Sequence, residues 1–174
     1  MTILETSRLL IRKYTAGDKD VEDLHSILGD ATTMSFWPAP FTEEQTKSWL
    51  QRNLESYENH GFGRWGMVLK ETGGLIGDIG FMRAELDSRI ENDLGYIIFA
   101  PFWGRDLATE AASACLSYGF HTLGMTRVCA NMPVDHHASR RVAEKIGMVC
   151  EKQYMNTRNR NKWTYLYSKS RPVG

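Results

Sequence analysis

The chain has 174 residues, 42% of them hydrophobic and 24% charged, and its 21 Lys and Arg balance 21 Asp and Glu to a formal net charge of zero. That length suits one domain, expected to span residues 1–174, and the apolar share is enough for a single buried core. A neutral chain has no bulk field to recruit nucleic acid or an anionic membrane, so any anion site must be local.

The opening "MTILETSRLLIRKY" interrupts its apolar residues with charge every few positions. That argues against a signal peptide or anchor, and no later apolar run is long enough to span a bilayer. Cys115, Cys129 and Cys150 are odd in number and widely spaced. They fit neither a disulfide framework nor a zinc site, and read as buried thiols in a reducing cytosol, so the expected location is cytoplasmic.

"SRLLIRKYT" (Ser7–Thr15) predicts a first strand, and Val21, Leu24, Ile27 and Leu28 fall at helical spacing before a stop at Gly29. "TMSFWPAPF" is a loop by its prolines, after which Thr42 and Gln45 have the spacing of a capping box opening a helix over roughly 43–59. "RWGMVLKE", "LIGDIGFMRAE" and "NDLGYIIFA" predict three strands, the first two joined by an "ETGG" turn. A helix from about Asp106 to Thr122 has an apolar stripe that includes Leu107, Ala111 and Cys115. "RVCANM" is a strand and "HHASRRVAEKIG" a helix stopped by Gly147, and "VCEKQYM" with "KWTYLYSKS" closes the chain as a hairpin. The order β-α-α-β-β-β-α-β-α-β-β predicts a mixed α/β sheet with helices on both faces.

The turn "PFWGRDLATEAA" (Pro101–Ala112) admits two readings. Unpaired N–H groups and the dipole of the helix start can hold a diphosphate, with Gly104 and Ala108 small enough for close approach and Arg105 adding charge. Equally, one glycine is a weak signal, and Asp106 can simply cap a strand-to-helix turn.

Trp103-Gly104-Arg105-Asp106-Leu107-Ala108-Thr109-Glu110 resembles the tryptophan-glycine-x-glycine-x-alanine-threonine-glutamate run of the RimJ/RimL-type branch of the GNAT acyl-CoA N-acyltransferase superfamily. "DLGYIIF" before it, "ASRRVAEKIGM" after it and "SFWPAPFTEEQTKSWL" in the loop between the first two helices resemble the same branch in the same order. The likeness runs from Glu5 to about Ser168. It implies a GNAT-like fold: a central, mostly antiparallel sheet of six to seven strands, splayed between the family's strands four and five. It further implies acetyl-CoA as acyl donor, without a metal, and a primary amine as acceptor, either a peptide or ribosomal-protein N-terminus or a small amine. Attack would be direct, within a ternary complex. The chain would act as a monomer or homodimer.

On that resemblance, Tyr96, Ile97 and Ile98 would pair with the pantetheine arm through their backbones. Trp103 to Thr109, Asn131, His136, Ser139 and Arg141 would complete the CoA site, with Arg140 and Lys145 as further phosphate contacts. Asp106 stands where the family has glycine and His136 where it has asparagine. The carboxylate would repel a diphosphate, so Asp106 is expected to point away, capping the helix or pairing with Arg105, on backbone that is already helical. Those two departures motivate the rival reading of a non-catalytic acyl-CoA-binding or sensor domain.

Asp93 is the candidate general base and Glu91, on the same strand face, its reserve; a solvated polar edge is the other reading of both. Ser139 is the candidate proton donor to the departing thiolate, against a plain helix-capping role. Phe36, Trp37, Trp65 and Trp163 are candidate walls of the acceptor pocket, with Trp37 and Trp65 as its substrate contacts, although aromatic residues are more often core. His136 and His137 lack a third ligand at metal-binding spacing.

Overall fold

Period-two alternation buries Leu9 and Ile11 and leaves Leu10 and Arg12 half-buried, as in a strand with one covered face. In the computed structural model, which describes Met1 to Gly174, this strand, β2 (Leu9–Arg12), follows a separate β1 (Thr2–Glu5). The single first strand expected over Ser7–Thr15 is therefore two. Between them Thr6 closes a turn, its N–H donating to the Leu9 carbonyl at 2.9 Å and its hydroxyl accepting from the Leu9 N–H at 3.1 Å.

The two N-terminal helices are α1 (Asp18–Leu28) and α2 (Glu43–His60). The start of α2 is a reciprocal capping box, with the Gln45 N–H donating to Thr42 Oγ1 at 3.2 Å and the Thr42 N–H to Gln45 Oε1 at 2.8 Å. Next come β3 (Arg64–Leu69), β4 (Leu75–Leu86), β5 (Arg89–Ile98), α3 (Leu107–His121), β6 (Arg127–Pro133), α4 (His137–Lys145), β7 (Val149–Asn156) and β8 (Lys162–Ser170). All the strands join one sheet in the order β1-β2-β3-β4-β5-β6-β8-β7. Its 8 strands exceed the six to seven expected, because the N-terminal segment contributes two.

Every neighbouring pair is antiparallel except β5 and β6. β4 and β5 stay in register from Gly77↔Ile98 to Leu86↔Arg89, whereas β5 and β6 meet only at Asp93↔Cys129. Beyond Asp93 the two parallel strands part, and this is the expected splay. Each side of the sheet is covered. The larger core cluster joins Trp65, Ile79, Phe81 and Leu94 to Ala111 and Cys115 of α3, and a second joins Tyr14 and Ile97 to Leu24 of α1 and Trp49 of α2. No helix is long and apolar enough to cross a membrane.

Candidate active site

The splay leaves backbone groups without a sheet partner. The Phe99 N–H donates to the Ile76 carbonyl at 2.9 Å, and strand parity then turns Ile97 toward β4 and aims the N–H and C=O of Tyr96 and Ile98 into the gap. Ile97 thus cannot pair with a pantetheine arm through its backbone as expected. The Ile98 carbonyl is also taken, accepting from Trp103 Nε1 at 2.7 Å. The Ile98 N–H and both backbone groups of Tyr96 remain.

From this gap a cavity of about 710 Å³ runs to the start of α3, lined there by Gly104, Asp106 and Ala108 and from α4 by Ser139, Arg141 and Lys145. Leu107, Thr109, Trp103 and His136 line it as well. Gly104 (φ 76°) and Asp106 (φ 62°) are both left-handed. Asp106 is therefore not on helical backbone, but Asp is among the few non-glycine residues that enter this region at modest cost. The first helical bond runs from the Glu110 N–H to the Asp106 carbonyl at 3.2 Å, so the N–H groups of Leu107, Ala108 and Thr109 have no partner inside the helix.

Asp106 makes no cap hydrogen bond. Its Oδ1 accepts from Lys145 Nζ at 2.9 Å, and Lys145 above all holds the carboxyl below the ordinary range. Arg105, the expected partner, instead reaches Glu71 at 3.3 Å and lines neither cavity of the site. The motif glutamate is a clamp. Glu110 receives the Thr6 hydroxyl at 2.6 Å, the Arg8 N–H at 2.9 Å and Arg8 Nε at 2.7 Å. Burial opposes its ionisation, but these donors outweigh burial and hold its pKa down to about 2. The N-terminus of α3 is thereby fastened to the β1–β2 turn.

A second cavity of about 400 Å³ opens on the other side of the gap. Phe36, Trp37, Tyr96, Ile97, His136 and Ser139 line both cavities, so the two meet there. Asp93 lines the smaller one. Desolvation raises its carboxyl to about 6, against the opposing pull of Asn131 and Arg64. Asn131 Nδ2 donates to Asp93 Oδ1 at 3.0 Å, which makes Asn131 the orienting partner of the carboxylate; it lies outside the larger cavity where a CoA contact was expected. Glu91 is buried elsewhere, ion-paired with Arg127 at 3.2 Å, and lines neither cavity.

Ser139 Oγ donates to the Tyr96 phenol at 3.3 Å, and the phenol donates to the Ser139 carbonyl at 2.8 Å. Burial raises the pKa of Tyr96, keeping it protonated. His136 caps α4, its Nδ1 accepting the Ser139 N–H at 3.4 Å, and its ring stacks on Phe36 with centroids 3.8 Å apart. Burial lowers its pKa to about 4. With Nδ1 accepting, the neutral ring carries its proton on Nε2 and is a donor there.

Trp65 does not wall the acceptor pocket. It is fully buried on the α3 side of the sheet against Phe81 and Tyr118. Trp163 also lines neither cavity, and Arg140 is committed to Glu144 at 2.9 Å. Sequence reasoning missed Arg64, Trp49, Arg158 and the phenol of Tyr96, all of which line the smaller cavity. Arg64 pairs with Asp78 at 2.5 Å, and Asp78 Oδ2 also accepts from Tyr14 at 2.8 Å and Trp49 Nε1 at 3.1 Å. No three His, Cys, Asp or Glu side chains gather as for a metal ion. Cys115 and Cys129 are buried as expected, but Cys150, on the sheet-edge strand β7, is exposed.

Comparison with known proteins agrees with this fold. The family profile described as an acetyltransferase (GNAT) domain matches residues 8–149. An uncharacterized N-acetyltransferase of Bacillus subtilis, YoaA, is 33% identical over 98% of this chain and 97% of its own. The crystal structure of a GNAT-family acetyltransferase from Bacillus anthracis is 29% identical, with a TM-score of 0.81 over 98% of this chain and 99% of that one. A structure of RimL, a ribosomal L7/L12 alpha-N-protein acetyltransferase in complex with coenzyme A, is 15% identical and has a TM-score of 0.80 over 98% of each chain; at that identity the likeness is one of fold.

Proposed function

This chain belongs to the GNAT acetyltransferase family, and on that premise we propose that it transfers the acetyl group of acetyl-CoA to a primary amine held in the smaller cavity, by direct attack in a ternary complex. The observation that carries this reading is the meeting of the two cavities at Tyr96, His136 and Ser139, with Asp93 on the acceptor side. The reading is of the RimJ/RimL type, with a small amine or a peptide N-terminus as acceptor, acting in the cytoplasm. A cavity of about 400 Å³ is near the lower end of small-molecule sites and admits one or two residues of a peptide.

The larger cavity suits a long, anionic, amide-bearing ligand. The helix start offers Leu107, Ala108 and Thr109 N–H groups to a diphosphate, and Lys145 and Arg141 stand beside them. The gap edge of β5 offers N–H and C=O groups to an amide chain, and His136 Nε2 a further donor. When bound, acetyl-CoA supplies a thioester whose carbonyl is the electrophile. The Ile98 or Tyr96 N–H, unclaimed by the sheet, can stabilise negative charge on that oxygen.

The remaining tasks are proton transfers. An α-amine with a pKa near 7.7–8.0 is roughly 10–15% neutral at pH 7, a penalty of about 1 kcal/mol. A carboxylate titrating at about 6 is well matched to accept its proton, directly or through one water, and Asp93 has that value. On the other side of the gap, the Tyr96 phenol, in contact with Ser139, is the donor to the departing sulfur. No protein nucleophile is required, and the buried thiols of Cys115 and Cys129 are raised to about 12.

The two departures that motivated a sensor reading lose their force here. Asp106 is neutralised by Lys145, and His136 retains a donor. The test is release of free CoA thiol with a panel of amines, using wild type and Asp93→Asn. Turnover that collapses in the variant supports the enzyme; CoA binding without thiol release on any amine returns the chain to a sensor role.

A further inference from the structure

The charged residues lining the smaller cavity are unequal. Asp93 is the sole acidic one, whereas Arg64 and Arg158 line it together with Asn131, Asn156 and Asn159. The two arginines differ in availability. Arg64 is 5% exposed and already neutralised by Asp78 at 2.5 Å. Arg158 lies in the turn between β7 and β8 and reaches Glu85 of β4 at 2.9 Å, with side chains 68% and 44% exposed. A pair so open to water is weak, and its guanidinium can exchange one carboxylate for another.

The position of Arg158 is not left to chance. Arg160 of the same turn donates from Nη2 to the Phe36 carbonyl at 3.2 Å, which ties the turn to the loop that supplies Phe36 and Trp37 to the cavity wall. The Arg158 backbone N–H is held in turn by Asn156 Oδ1 at 3.1 Å. The backbone at Arg158 is thus held at the cavity rim, and Asp93 is the only acid in the same lining.

Resting on the acetyltransferase reading above, we propose that the acceptor is a primary amine that also bears a carboxylate or phosphate, with its amine directed to Asp93 and its anion to Arg158. An acceptor with a second ammonium group would instead meet the Arg158 guanidinium and find no lining carboxylate left to receive it. Such an anion has two sources, a free amino acid or an acidic residue near a peptide N-terminus, and the same chemistry recognises both.

The experiment sets acid forms against neutral isosteres: free amino acids against their carboxamides, and tripeptides with Glu against Gln at the second position. CoA thiol release is read alongside calorimetric binding of each amine to the CoA-loaded protein. Per unit of neutral amine, acid forms are expected to exceed neutral forms by roughly two- to fivefold in kcat/KM, the scale of one exposed ion pair. Arg158→Gln should collapse that ratio and Arg158→Lys restore part of it. Glu85→Gln, which frees the guanidinium, should raise the ratio. Activity confined to the amino-acid arm or to the tripeptide arm names the source. A ratio near one in wild type, or one that survives Arg158→Gln, overturns the inference. Acid-form binding that needs Arg158 but gives no thiol release upholds it and removes the acetyltransferase reading instead.

Discussion

The phenol of Tyr96 lies 3.3 Å from the hydroxyl of Ser139, at the point where the two cavities join. Ser139 directs its hydroxyl proton to the phenol oxygen, and the phenol gives its own to the Ser139 carbonyl at 2.8 Å, a bond it would exchange for one to a departing thiolate. Tyr96→Phe should lower kcat by roughly 10²- to 10³-fold, in the range of a lost general acid, while CoA affinity stays within a factor of a few. Ser139→Ala should cost less, and the double variant little more than Tyr96→Phe alone, because the two act as one unit. Steady-state kinetics with a calorimetric CoA titration decides it. Full kcat in Tyr96→Phe would remove the phenol from the chemistry.

Asp93, raised to about 6 by desolvation, shapes the acid limb of the rate profile. The productive complex needs a neutral amine and an ionised Asp93. For an α-amine acceptor of pKa about 7.7–8.0, log kcat/KM should rise with slope one between pH 6 and 7.5 and with slope two below pH 6. In Asp93→Asn the residual rate should keep slope one throughout. A wild-type profile of slope one down to pH 5 would assign the base elsewhere.

The same carboxyl is a liability to the fold. Its native pKa of about 6 exceeds the ordinary unfolded value of about 3.9, so between those values the native state binds more protons and gains stability as pH falls. Above pH 6 the ionised form is a standing cost. Asp93→Asn keeps the bond from Asn131 and removes the charge. It should therefore stabilise the chain at pH 7.5 by about 1–3 kcal/mol while abolishing most activity, and the gain should vanish near pH 4. Denaturant melts at the two pH values measure it.

The cavity at the start of α3, proposed to hold CoA, was legible because its requirements are local: small residues, a helix start and a glutamate at fixed spacing, in one stretch from Trp103 to Glu110. The acceptor side was not, because it is made by register. Arg64, Gly80 and Gly95 stand opposite one another across β3, β4 and β5, and nothing in their separate strands announces that the missing side chain of Gly95 will leave a trough for a buried guanidinium. Trp65 was misplaced for a related reason. Alternation tells that Arg64 and Trp65 face opposite ways, but not which face holds the cavity. Asp106 was expected to find a neighbour in sequence and found Lys145, on another helix.

That glycine trough makes Gly95 an expected point of failure. A Cβ at this position would stand 1.9 Å from Arg64 Nη1. Arg64 is almost fully buried, so its guanidinium has nowhere to retreat without leaving Asp78. Stranding one member of a buried pair costs on the order of 3–5 kcal/mol, which lowers Tm by roughly 10 °C in a chain of this size. Gly95→Ala should show that loss. Gly74→Ala, where the added carbon meets only Thr72 Oγ1 at 3.4 Å, should be close to neutral.

Asp106 and Lys145 set the last prediction. Their contact at 2.9 Å is exposed, 62% and 54%, yet both groups line the larger cavity. The lysine that should meet a phosphate is held by the carboxylate that should repel one. Asp106→Asn keeps a residue tolerant of left-handed backbone, frees Lys145 and removes the repulsion. CoA affinity should rise by roughly two- to fivefold, the scale of one exposed ion pair. Lys145→Ala should weaken binding more in the wild-type background than in Asp106→Asn, because there it also uncovers the carboxylate. Titrating CoA into the four proteins of that cycle gives the coupling directly, and the effect should shrink with added salt. If Asp106→Asn binds CoA no more tightly than wild type at low salt, the carboxylate does not oppose the ligand, and the phosphates lie away from this end of α3.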